Sequence, residues 1–159
     1  MANYWNSTFK VKPRAGKEKS VGLKRHKSKK RYRPKPKSQE IKDHFQAVIE
    51  LGPPPGMEGE GQLTIHHCHS GSMSDNGINR GVGQRPSDWL VIALPMELHV
   101  MSGLAIDGSI GIRTWEEKFG TQFNALIWVC HQLKIDVFEK AGVVFHELPP
   151  EIKEMRYWL

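Results

Sequence analysis

Cysteine is nearly absent from this 159-residue chain, which contains only Cys68 and Cys130. Two thiols exclude a disulfide scaffold and a four-cysteine zinc site. A single disulfide stays formally open, and a reducing cytosol disfavours it. Long apolar runs are missing as well. No stretch approaches the ~18 residues that would suggest a membrane span. The basic N-terminal stretch has no apolar segment behind it, so no secretory signal is expected and a cytoplasmic setting is the default. Acidic residues are scarce at one end only. Of 23 Lys and Arg and 17 Asp and Glu, residues 1–37 hold 14 bases and one acid, Glu18. That segment carries +13, and the remaining 9 bases and 16 acids carry −7. The expected organisation is a single domain over residues 40–159 tethered to a cationic arm over residues 1–39.

The arm lacks a periodic apolar pattern. Its run from Lys24 to Lys37 buries too little apolar surface to offset the entropy of ordering, so the arm is expected to be disordered. Lys24, Arg25, Lys29, Lys30, Arg31 and Arg33 are the candidate phosphate contacts. Each phosphate neutralised releases counterions, so binding is expected to be insensitive to sequence and steeply dependent on salt. Tyr32 can stack on a base. The bland alternative is a tail that serves solubility or contacts acidic proteins.

Residues 41–51 fit a helix by apolar spacing or a strand by their Val-Ile pair. Prolines and glycines make residues 52–56 a loop. A short strand is expected at 62–67 and a buried one at 88–95. Between them, residues 69–87 read as one long polar loop, and a loop of that length in a small domain is usually functional. Pro95 suits the first turn of a helix over residues 96–102. Further helices are expected at 113–119, ending on Gly120, and from the Thr121 cap to Lys134. A short helix near 136–141 and a last one from Pro149 and Pro150 complete an α+β pattern with additional C-terminal helices.

The dense cluster is His66-His67-Cys68-His69, where the first strand ends. Asp88 heads the second strand and His99 lies on the helix after it. Alternation along a strand sends His66 and His67 to opposite faces, so both serve one site only if the strand ends or bends there. Strand with a His pair, loop, strand with Asp, and helix with His is the layout of a ββα-metal nuclease. Phosphodiester hydrolysis needs a base near neutral pH, a role for which His is matched. It also needs a cation at the developing phosphate charge. Imidazole and carboxylate ligands can hold Mg²⁺, Mn²⁺, Ni²⁺ or Zn²⁺. Arg80 and Arg85 in the long loop are candidate DNA phosphate contacts, with solvated loop charges as the alternative. His44, His131 and His146 are read as structural or exposed.

From His66 to Gln122 the chain resembles the phage and prophage HNH nucleases of the Ref type. The resemblance rests on His66-His67, Gly81-x-Gly83, Pro86-Ser87-Asp88-Trp89, Leu94-Pro95, Leu98-His99 and the run Trp115-Glu116-Glu117-Lys118-Phe119-Gly120-Thr121-Gln122. It implies a ββα-metal core and metal-dependent DNA cleavage inside a bacterial host, linked to recombination or repair, with a RecA filament as a candidate partner. It also implies His67 as general base, His66 and His99 as metal ligands, and Asp88 as the group that orients the base. Cys68 and His69 are candidate additional ligands. Many members of that family carry a Cys-x-x-His-His run where this chain reads Met96-Glu97-Leu98-His99-Val100, and a further His where Gly103 stands. The helix therefore offers one imidazole instead of two. Two rival readings stay open: a nucleic-acid-binding protein that kept the fold without catalysis, and a small zinc-binding interaction module.

Overall fold

The computed structural model describes residues 36–79 and 84–159. The arm residues Lys24, Arg25, Lys29, Lys30, Arg31 and Arg33, and Arg80 in the long loop, lie outside the described residues. Residues 36–159 belong to one unit of the chain, and it is α+β. Its elements run α1 (Gln39–Leu51), β1 (Leu63–His67), α2 (Ser72–Asp75), β2 (Val91–Pro95), a π-helical turn (Glu97–Met101), α3 (Ile112–Phe119), α4 (Gln122–Leu133), α5 (Val137–Lys140) and α6 (Pro150–Trp158).

The ambiguous first segment is a helix. Ser38 caps it by accepting a hydrogen bond from the Ile41 N–H, and Gly52 at φ 88° ends it. The Thr121 cap is also present, accepting from the Asn124 N–H. Strands β1 and β2 pair antiparallel, with Thr64 opposite Leu94 and His66 opposite Ile92. All five residues of β2 are buried. Alternate side chains point to opposite faces of a strand, so both faces of β2 must be covered, and both α1 and α4 pack on it. Buried side chains of Ile92, Leu94, Val48, Leu126, Trp115 and Phe138 belong to the resulting core.

Three expectations need correction. The second strand starts at Val91, three residues past Asp88, which lies in a turn closed by the Leu90 N–H donating to the Ser87 carbonyl. The Trp89 carbonyl is taken by His44 Nε2 at 3.2 Å instead of by a neighbouring strand. The long loop contains one helical turn, α2, which no apolar periodicity announces. It is held by Glu116, which accepts from both the backbone N–H and the hydroxyl of Ser72. The helix expected at 96–102 is a π-helical turn, a form that concentrates at functional positions.

That turn positions the loop after it. The Ile106 N–H donates to the Leu98 carbonyl at 2.8 Å, and the Asp107 N–H donates to the His99 carbonyl at 3.2 Å. The chain from Ser102 to Gly108 is thereby folded back along the turn, with Asp107 against His99.

Candidate metal centre and the adjacent histidine

Alternation along β1 puts Thr64 and His66 on one face and Ile65 and His67 on the other. The first face meets the π-helical turn and the start of α4. There His66, 1% exposed, sits edge-on to the His99 ring with centroids 5.1 Å apart. His99 Nε2 lies 3.1 Å from Asp107 Oδ2, and His66 Nδ1 lies 4.0 Å from Asp107 Oδ1. Among the described residues, His66, His99 and Asp107 offer one donor atom each, all within 4.8 Å of one another.

The outer nitrogens are also engaged. His66 Nε2 is 3.1 Å from Gln122 Oε1, and His99 Nδ1 is 2.8 Å from Thr64 Oγ1. Gln122 is itself buried, accepting from the His69 N–H at 3.1 Å and donating to the His69 carbonyl at 3.2 Å and to Glu116 Oε1 at 3.2 Å. Glu116 therefore ties α2, the end of β1 and the α3–α4 corner into one polar network.

Burial pushes the His66 imidazolium down to a pKa of about 4, against opposing contributions from Gln122 and Asp107. The ring is neutral at neutral pH, the state a metal ligand requires. Two imidazoles and one carboxylate at this spacing fit a divalent cation. The third donor is a carboxylate from the loop beyond the π-helical turn.

His67 belongs to the other face. Its ring packs edge-on to Phe45 of α1 at 5.9 Å, and its Nε2 donates to Asp88 Oδ1 at 2.9 Å. Lys37 pairs with the same carboxylate oxygen and lies over the Phe45 ring at 4.4 Å. Burial depresses the His67 pKa, the Asp88 hydrogen bond opposes it, and the cations Arg85 and Lys37 depress it further. For Asp88, burial acts upward, yet hydrogen bonds from Lys37 and His67 bring its carboxyl below the usual range.

No family model, no curated protein and no solved structure matches this chain. No helix among the described residues is long and apolar enough to cross a membrane.

The residues singled out from sequence thus fall into two clusters, His66 with His99 and His67 with Asp88. Cys68 joins neither. It is a free thiol in the hydrophobic core, and burial raises its pKa well above the ordinary range. His69 stands beside the centre, its ring 5.9 Å from that of His66, but it is not among the three converging donors. Arg85 lines a cleft with His69, Asn79 and Ser87. Sequence reasoning missed Asp107, Thr64 and the role of Gln122. Asp107 precedes a glycine in an irregular loop, and no spacing rule links it to His99. Thr64 did carry a signal, since it stands two residues before His66 and so shares its strand face.

Proposed function

We propose that the chain is a metal-dependent endonuclease that hydrolyses DNA phosphodiester bonds on a ββα-metal framework. The observation that carries this reading is the convergence of His66 from β1, His99 from the turn after β2, and Asp107. Three protein ligands leave coordination positions open, as catalytic metal sites do. A divalent ion bound there would stabilise charge on the scissile phosphate and the leaving oxygen.

His67 is the proton acceptor in this reading. Its Nε2–H is held by Asp88, which leaves Nδ1 to take a proton from water, and its lowered pKa keeps it unprotonated at neutral pH. Asp88 orients the ring. Arg85, a cation whose charge reaches His67, contacts backbone phosphates. His66 and His67 are the last two residues of β1, and this reading requires a phosphodiester to span the strand end between the two faces. The basic arm concentrates the protein on nucleic acid. Origin in a phage or prophage and action beside a RecA filament are proposed from the resemblance alone.

One observation favours a second reading. His66 and His67 contact different elements on the two faces of β1. A protein that holds a metal and binds nucleic acid without cutting it would tolerate that separation. Cleavage of supercoiled plasmid and single-stranded DNA, scanned over Mg²⁺, Mn²⁺, Ni²⁺ and Zn²⁺ with and without RecA and ATP, separates the two. Metal-dependent cutting abolished in His67→Ala and in His99→Ala is the expected result. DNA that is bound but never cut under any metal sinks the nuclease reading in favour of the second.

A further inference from the structure

We propose that Thr64 and Gln122 are positioning residues that fix opposite tautomers of the two metal-binding histidines, so that His66 presents Nδ1 and His99 presents Nε2. The inference rests on the metal-centre reading and concerns which nitrogen of each ring faces the ion.

The Gln122 amide has one permitted orientation. The His69 N–H can only donate and the His69 carbonyl can only accept. Gln122 contacts both, at 3.1 and 3.2 Å, so the atom near His69 N is oxygen and the atom near His69 O is nitrogen. The same oxygen lies 3.1 Å from His66 Nε2. It can only accept, so Nε2 carries the hydrogen. His66 Nδ1 then keeps its lone pair, and that nitrogen is the one on the Asp107 side.

Thr64 imposes the opposite state on His99. Its hydroxyl has one hydrogen, which it donates to the Leu94 carbonyl across the strand pair at 3.0 Å. With that hydrogen on the Leu94 carbonyl, Oγ1 accepts from His99 Nδ1 at 2.8 Å. The lone pair of His99 then sits on Nε2, which faces Asp107 Oδ2 at 3.1 Å. Two acceptors at that distance repel unless a proton or a cation lies between them. With both rings in these tautomers the gap between His99 and Asp107 suits a cation, and Thr64 supplies its polarity from the same strand face as His66. Partners of this kind behind metal-bound histidines are worth roughly 10- to 100-fold in metal affinity.

The test uses the full chain with Zn²⁺, titrated calorimetrically, and long-range proton–nitrogen NMR spectra of the histidine rings in the zinc-loaded protein. The expected result is His66 protonated on Nε2 and His99 on Nδ1. Thr64→Val keeps the side-chain shape and suits a strand, and it is expected to weaken Zn²⁺ binding roughly 10- to 100-fold. Thr64→Ser is expected to restore most of it. Zinc binding by the wild type with the same nitrogen protonated in both rings overturns the inference and leaves the metal centre standing. Equal affinity of wild type and Thr64→Val does the same. A wild-type protein that binds no divalent metal removes the metal centre and the inference together. The spectra are recorded on the wild type, so the proposal stays testable even if a variant folds poorly.

Discussion

Gln122 and His66 are 56 residues apart in sequence, yet the Gln122 carboxamide oxygen meets His66 Nε2 at 3.1 Å in a fully buried contact. The first residue of α4 therefore sets the ring of the penultimate residue of β1. The position of His66 depends on the packing of the C-terminal helices against the two-stranded sheet.

The anchor of that contact is Glu116. Its carboxylate accepts from the Ser72 N–H at 2.9 Å, the Ser72 hydroxyl, the Gln122 N–H at 3.0 Å and the Gln122 amide at 3.2 Å. Glu116→Ala leaves these buried donors unpaired, so a loss of roughly 3 kcal/mol in urea denaturation is expected. Amide hydrogen exchange in α2 should rise in the same variant. Unchanged stability would show that water replaces the carboxylate without cost.

Gly71 cannot carry a side chain. It has φ 49°, and an added Cβ would lie 2.4 Å from Glu116 Oε2 and 2.7 Å from Ile112 Cγ2. Gly71→Ala is expected to lower stability by about 2 kcal/mol, through backbone strain and displacement of the Glu116 carboxylate. Gly77 also has positive φ but meets nothing within 4 Å. Gly77→Ala should therefore cost less, and comparing the two melts isolates the contact.

The two histidine clusters should separate in a metal titration. His66→Ala, His99→Ala and Asp107→Ala each remove a converging donor and are expected to abolish tight binding of Ni²⁺ or Zn²⁺. His67→Ala removes a ring held by Asp88 on the other strand face and should leave affinity within a few-fold of wild type while ending DNA cleavage. Loss of metal binding in His67→Ala would place all four groups around one ion.

Acid should destabilise the metal-free protein in a defined window. His44 is depressed by burial against a weaker opposing hydrogen bond to Trp89, and His66 is depressed to about 4 by burial. Groups whose folded pKa lies below the unfolded value contribute stability that is fully present above about 6.5 and is lost as pH falls toward the folded value. Denaturation midpoints in chelator should therefore fall from pH 6.5 toward pH 4. His44→Gln should flatten part of that slope.

Both thiols should be silent in the native state. Cys68 and Cys130 are free and buried, and burial raises both pKa values, that of Cys130 to about 12. A thiol reagent is expected to label both only on the timescale of unfolding. Fast labelling of Cys68 in native protein would show that the end of β1 opens locally.

Much of the local structure was legible. The Thr121 cap, the glycine stop at Gly120, the loop at residues 52–56 and the apolar run of β2 are short-range signals with a direct physical basis. The first segment stayed ambiguous because its apolar spacing suits a helix while its Val-Ile pair suits a strand. Helix α2 was not legible, because its hydrogen-bond partner lies in α3.

The sequence by itself determined the charge split between arm and domain, the presence of two strands, the end of α3 at Gly120 and the start of α4 at Thr121, and the presence of His66, His67 and His99 near strand and helix positions. These follow from composition, periodicity and local capping, which act over a few residues. Only the tertiary structure decided that Asp107 completes a donor triad, that Gln122 and Thr64 hold its rings, and that His67 lies with Asp88 on the opposite strand face. Those relations join residues with no fixed spacing. They arise where backbone bonds fold the 102–108 loop onto the π-helical turn and where a buried polar network must satisfy every donor it encloses.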